Sequence, residues 1–430
     1  MKNILNIYSA WLFLVFVSFG YELPLINLSS ADRLNPRLFD ISLILGLFVW
    51  MKVRFKVVYD EEIYKIWFSL VVWFTFCVLV TAILSDFPTN INSYMFYYLF
   101  EYVKGLILLT IFMSIPRQYL DVERIFKAIL LGGIITSVYC VYEINFGTSE
   151  IVLSDALTII KPEGYVWGPF VGSYFQIAMY LPLTFIVAVG LYCKTRKIIY
   201  LLASLFLAWP TLYTGSRTHL FMLLFTAAVF FYFTYRSAGK RVFALCTILI
   251  LAPVLMLLKP SVSADKFETI SRMESLENTS EHSIIGRLLL FESFDVSEYD
   301  NGDLMPFIGG GFYVAPVNGG FRISYGFHNI YVFAFEQSGL VGLLLFILLI
   351  YVFLKKNLRY LNYGENDSNY HLILAVFAYM VASFIIGMSG HSFWRGFSTS
   401  NLNTLRLLIM AVSCIYITEY IKNVKKDTIG

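Results

Sequence analysis

Four side chains in this sequence have the type and setting to act on a polar, anionic molecule, and a fifth stands beside one of them. His328 and Asn329 stand where a long hydrophilic stretch, Lys259 to Phe327, runs back into an apolar one. An unperturbed imidazole titrates near pH ~6.5, so His328 can accept a proton from a hydroxyl nucleophile at neutral pH. Arg217 lies in the turn Thr214-Gly215-Ser216-Arg217-Thr218-His219 between two apolar runs. Its planar fork of donors matches phosphate or pyrophosphate oxygens. Arg287, directly after Gly286, and Arg322 are two more cations in the hydrophilic stretch. Together these residues suit base-assisted attack by a hydroxyl on a substrate that carries phosphate.

Each residue also has a plainer reading, and position alone does not choose between the two. His328 suits a helix start, where it would bond to its own neighbours. Arg217 suits an interfacial anchor that reaches lipid phosphates. Arg287 can pair with Glu281 or Glu292, and Arg322 with a surface acid. Gly309, Gly310 and Gly311 after Pro306 mark a tight turn and, on their own, no more than that. The other four histidines, His219, His282, His371 and His391, lack the setting of His328. There is no HxH, HExxH or CxxC motif, so neither a metal nor another cofactor is indicated.

The elements that must position these residues are apolar. The chain has 430 residues, 58% hydrophobic and 14% charged, with a mean hydropathy of +0.70. Soluble domains carry roughly 25% charge, so the composition is that of a membrane protein. Phe (40) and Tyr (30) suit lipid-facing and interfacial surfaces. A net charge of +3 with no basic tract argues against nucleic acid. The five cysteines, Cys77, Cys140, Cys193, Cys246 and Cys414, lie in or beside apolar runs and read as small buried hydrophobes.

A span needs about 20 apolar residues. Candidates lie near 8–27, 38–52, 64–85, 93–114, 124–147, 170–193, 197–214, 218–235, 241–258, 327–354, 369–390 and 403–422. The first follows Lys2 without a small-residue cleavage site, so a retained span is expected there. Twelve spans put both termini on one side. The loops of that side, with Lys2, hold 20 of the 32 basic residues, among them Arg124, Lys194, Lys356 and Lys425. The short loops of the other side hold only Arg33, Arg37, Lys161, Arg217 and Arg395. Basic loops favour the cytoplasm, so the termini are expected inside and the candidate residues outside. Within the fourth span, Glu101 and Lys104 are spaced to form a mutual ion pair.

The domain reading is therefore nine transmembrane helices over 1–258, a large external loop over 259–326, and three helices over 327–430. From Lys259 to Phe327 the chain has ten acidic and five basic residues. Ser283 to Phe294 carries a helix-spaced apolar stripe, and the loop is expected to pack over the outer mouth. No internal repeat is evident, which removes the usual pointer to a secondary transporter.

With these landmarks in place, the chain resembles the O-antigen polymerase and O-antigen ligase superfamily of bacterial inner-membrane proteins. His328-Asn329, nine residues, Gly339, two residues and Gly342 fit its H-[NSQ]-x9-G-x-x-G pattern at every fixed position. Ser216-Arg217, Gly286-Arg287 and Gly309 to Gly311 follow in the family's order. Gly168 to Pro182 is similar to a further family segment but lacks its usual Pro-Asn pair. The likeness covers the second half of the chain; the first five spans agree in topology only.

The resemblance implies an all-α, glycosyltransferase C-type membrane fold and a metal-independent inverting enzyme. Its donor would be an undecaprenyl-pyrophosphate-linked glycan, and its acceptor a hydroxyl of another glycan. His328 would be the base, Arg217 and Arg287 would hold the pyrophosphate, and Arg322 and Asn329 would contact substrate. Flippase and chain-length regulator proteins are the implied protein partners. Polymerase and ligase share this donor chemistry; polymerases are the more numerous members, and the reading leans to them. A polysaccharide transporter or flippase also suits twelve spans, but would place its ionisable residues at mid-depth.

Overall fold

The computed structural model describes residues 2–21, 37–53, 61–84, 89–114, 121–146, 150–154, 157–160, 166, 168–169, 174–213, 217–235, 237–242, 244, 305–311, 314–317, 320–323, 329–387 and 402–429. In chain order its helices are α1 (Lys2–Ser18), α2 (Leu38–Val53), α3 (Glu62–Leu84), α4 (Thr89–Met113), α5 (Val122–Phe146) and α6 (Tyr174–Thr195). They continue with α7 (Ile198–Ala208), α8 (Arg217–Thr234), the single turn α9 (Met305–Ile308), α10 (Ile330–Tyr363), α11 (Tyr370–Ile386) and α12 (Leu402–Ile429). Four stretches are long and apolar enough to cross a membrane: Glu62–Ile83, Val122–Phe146, Ile330–Tyr363 and Asn403–Val424. Shorter apolar helices accompany them, and the whole is a helical membrane protein.

Two antiparallel hairpins add to the expected all-α fold. One pairs β1 (Glu150–Ser154) with β2 (Leu157–Ile160), and the other pairs β3 (Val314–Val317) with β4 (Gly320–Ile323). Asn318-Gly319 between β3 and β4 is a strong two-residue hairpin signal that an all-helical reading passes over.

The first helix corrects the expected span over 8–27. It starts at Lys2 and stops at Ser18, and the chain turns through Gly20, whose N–H donates to Val17 O (3.0 Å). A Cβ on Gly20 would lie 2.4 Å from Gly132 O of α5, so the two backbones meet there without side chains. Thr136 closes the contact by donating to Gly20 O at 2.7 Å. Small residues that let helices approach this closely are the ordinary adhesive of membrane bundles, where the hydrophobic effect does not separate helix from lipid.

The core runs through α6, α11 and the first half of α12. α6 packs against α5, α7, α8 and α11; α12 packs against α10, α11 and α4. Tyr180 and Tyr379 are fully buried, and each donates to a neighbouring helix, Tyr180 to Ile129 O (3.3 Å) and Tyr379 to Met179 O (3.1 Å). Their hydroxyls are thereby satisfied inside an apolar bundle, where a bare one costs about 1–3 kcal/mol.

Polar contacts gather one end of the bundle. Glu123, at the start of α5, pairs with Lys127 (2.6 Å) and with Lys194 at the end of α6 (2.7 Å). Lys194 also reaches Asn369, at the start of α11 (2.7 Å). Asp367 accepts from Tyr360 of α10 (2.6 Å) and Tyr416 of α12 (2.8 Å), while Lys356 pairs with Glu61 beside α3 (3.0 Å). Tyr370 donates to Phe233 O at the end of α8 (3.5 Å). Since α8, α10 and α12 all finish in this ionic layer, their first residues stand at the opposite end.

Candidate functional site

That opposite end begins, on α10, with a cap. Asn329 is in an extended conformation (φ −139°, ψ 121°), and its Oδ1 accepts from Tyr331 N–H (2.9 Å) and Val332 N–H (3.2 Å). Its carbonyl accepts from Phe333 N–H at 3.0 Å and starts the helix. An asparagine cap stabilises a helix by about 1 kcal/mol, and Asn329 is only 3% exposed. The capping role read from sequence for His328 therefore belongs to the next residue. Oδ1 of Asn329 is committed to the backbone.

After nine helical residues, α10 breaks. Gly339 has φ 63° and ψ −168°, so Ile330–Ser338 and Leu340–Tyr363 are two helical segments joined at one glycine. The break receives the turn after α9. Gly309 (φ 65°) and Gly311 (φ 74°) hold that turn in the left-handed region, and Gly310 N–H donates to Glu336 O at 2.8 Å. A Cβ on Gly339 would meet Phe307 O at 2.1 Å, and one on Gly309 would meet Gly339 N at 2.5 Å. Backbone lies on backbone here, which only glycine permits. On the other flank of the break, Trp73 of α3 donates from Nε1 to Ser338 O at 2.8 Å. Carbonyls at membrane depth need protein donors when a helix is interrupted, and Gly310 and Trp73 supply them. Gly342 keeps room for Ser338, whose Oγ would lie 1.9 Å from an added Cβ.

Arg217 is the first residue of α8 and shares an end of the bundle with the Asn329 cap. Arg322 lies on β4 in register with Ala315, and β3 packs against α10. The side chains of Arg217 and Arg322 lie outside the described residues. So do His328, Arg287, the stretch Ser283 to Phe294 with its expected helix-spaced stripe, and most of the expected ninth span over 241–258. The structure thus brings the backbones of Arg217 and Asn329 to one end, carries Arg322 on a hairpin that packs against α10, and leaves His328 adjoining the cap by sequence. Among the described residues no three His, Cys, Asp or Glu side chains gather as a metal site.

The chain matches no protein-family model and no curated protein.

One residue at this end is absent from the sequence-based candidates. Arg406, in the second turn of α12, is completely buried; its Nε donates to Tyr379 OH (3.0 Å), and its Nη1 to Asn403 Oδ1 (3.5 Å). The guanidinium carbon also lies 5.7 Å from the centre of the Tyr379 ring, and Tyr379 is itself anchored on Met179 O. The available signal was an arginine inside the apolar run 403–422, which is costly enough to need a purpose. Glu336 and Gln337, both 1% exposed, are polar side chains buried just before the break. Lys104, read from sequence as a partner of Glu101, also reaches beyond its own helix. Its Nζ reaches Asp40 of α2 at 2.9 Å, and Asp40 also accepts from Arg37 N–H at 3.0 Å. The side chain of Glu101 is outside the described residues.

Proposed function

We propose that this protein is a membrane glycosyltransferase that joins glycan repeat units carried on undecaprenyl pyrophosphate. It would sit in the bacterial inner membrane with twelve spans and both termini in the cytoplasm. The observation that carries the reading is His328-Asn329 followed at fixed spacing by Gly339 and Gly342. Three of these four positions have a physical reason in the helix itself, since Asn329 caps α10, Gly339 breaks it, and Gly342 gives Ser338 room. His328 is the fourth position, and the proposal gives it the chemistry.

Depth supports the same reading. Lys355 and Asn329 are 26 residues apart. Two helical segments of that total length, broken at Gly339, rise at most about 39 Å, against about 30 Å of hydrocarbon. With Lys355 at the cytoplasmic border, that length lets Asn329 and its neighbour reach the outer headgroup layer, where a flipped lipid-linked substrate carries its pyrophosphate.

In the proposed reaction His328 takes the proton from the acceptor hydroxyl as its oxygen attacks the anomeric carbon of the donor. The bond from that carbon to the pyrophosphate oxygen breaks, with inversion, and undecaprenyl pyrophosphate leaves. Arg217 and Arg287 hold the pyrophosphate and offset the charge that develops on it; fixed cations at such a point are among the strongest catalytic devices. His328→Ala and Arg217→Ala should each abolish product while the protein stays in the membrane. Normal product from either variant removes the role given to that residue. In a deletion strain, core bearing a single repeat identifies a lost polymerase. Core without repeats, with lipid-linked polymer accumulating, identifies a lost ligase instead.

A further inference from the structure

The break in α10 leaves the segment that starts at Asn329 only nine residues long, Ile330–Ser338. A helix of two and a half turns is marginal by itself and takes its direction from what holds its ends. One end is capped by Asn329. At the other, the carbonyl of Ser338 accepts from Trp73 Nε1 (2.8 Å) and that of Glu336 from Gly310 N–H (2.8 Å). Trp73 differs from Gly310 in an informative way. It comes from α3, a helix 23 residues long that packs along α10 and is fixed at the ionic end by the Glu61–Lys356 pair beside its start. The indole also lies against the motif glycine: a Cβ on Gly342 would sit 3.4 Å from Trp73 Cδ1. Phe76, one turn on, packs on the same ring with centroids 5.3 Å apart.

We infer that Trp73 is a positioning residue: it pins the end of the Ile330–Ser338 segment and so helps set the position of the Asn329 cap, which adjoins His328 in sequence. The inference rests on the reading of His328 as the general base. A general base must hold hydrogen-bond distance to its proton, and a tilt at Ser338 is passed along the nine-residue segment toward Asn329, opposed by its buried face and by the bond from Tyr331 OH to Phe384 O (3.2 Å). The pin is a single directional bond to a main-chain oxygen. Removing the donor therefore loosens the end of the segment, which Gly310 still holds at Glu336 O, and leaves in place the cap, the glycines and every residue given a role in the reaction.

The test compares the purified full-length protein with Trp73→Phe and with β-(3-benzothienyl)alanine at position 73, which keeps the ring shape and lacks the N–H. Two quantities are read: amide hydrogen exchange by segment, and steady-state transfer from a lipid-linked glycan donor. Exchange over 330–338 should rise about tenfold, as expected for one lost buried hydrogen bond, with 340–363 unchanged. The kcat should fall by about tenfold or more while the acceptor KM stays within about twofold, and the thienyl analogue should behave like Phe. Unchanged exchange over 330–338 overturns the pin. Raised exchange with wild-type kcat, in a background where His328→Ala is inactive, overturns the positioning role. Activity in His328→Ala overturns the reading beneath it and is seen separately from either.

Discussion

Gly339 and Asn329 are the residues whose physics is most fully exposed. Gly339 combines a left-handed backbone with a Cβ position only 2.1 Å from Phe307 O. The conformation alone disfavours alanine by about 1–2 kcal/mol, and a main-chain oxygen has nowhere to move. Gly339→Ala should therefore cost more than about 3 kcal/mol, seen as a large fall in the melting temperature of the solubilised protein. Gly239→Ala is the matched control, because a Cβ there meets nothing within 4 Å. Equal melting temperatures for the two variants would contradict the close backbone contact. At this scale the sequence was only half legible. The spacing picked out Gly339 and Gly342, but no rule of spacing says that the turn at Gly309 to Gly311, tens of residues upstream, lies on the same break. The contact is tertiary, and so is the bond from Trp73, which is 265 positions from Ser338.

Among the elements, hydropathy located most helices because an apolar run of about 20 residues has few other uses. It failed where a helix ends for tertiary reasons. α1 stops at Ser18 because Gly20 packs on Gly132, and α10 is broken because a loop lies against it. The charge inside α4 makes a tertiary contact that local spacing does not show: the ammonium of Lys104 reaches Asp40 across the α2–α4 contact. With side chains 10% and 26% exposed, this pair links two helices in a poorly solvated place. Lys104→Met should destabilise the protein by about 3 kcal/mol, since it leaves Asp40 charged beside an apolar chain. The double variant Lys104→Met with Asp40→Asn should recover part of the loss. A double variant no better than Lys104→Met alone, in a thermal or denaturant melt, would show that the pair does not couple the two helices.

For the molecule as a whole, the separation of its two ends governs where chemistry can take place. Ion pairs among Glu61, Glu123, Lys194 and Lys356 gather at one end, and the first residues of α8, α10 and α12 stand at the other. Charge bias in the sequence predicts the first end to be cytoplasmic. Ser154→Cys on β1 should accordingly react with a membrane-impermeant thiol reagent in intact cells, and Asn423→Cys near the end of α12 should react only after permeabilisation. The reverse pattern would invert the topology and move the Arg217 and Asn329 end away from any flipped substrate. Whether the molecule is a glycosyltransferase is decided by transfer with the purified protein. It is supplied with an undecaprenyl-pyrophosphate-linked repeat in the presence of a metal chelator, and product length is read by mass spectrometry. Joined repeats and released undecaprenyl pyrophosphate are expected from the wild type, and neither from His328→Ala. Equal product from both proteins, or none from a folded wild type, would refute the proposed reaction.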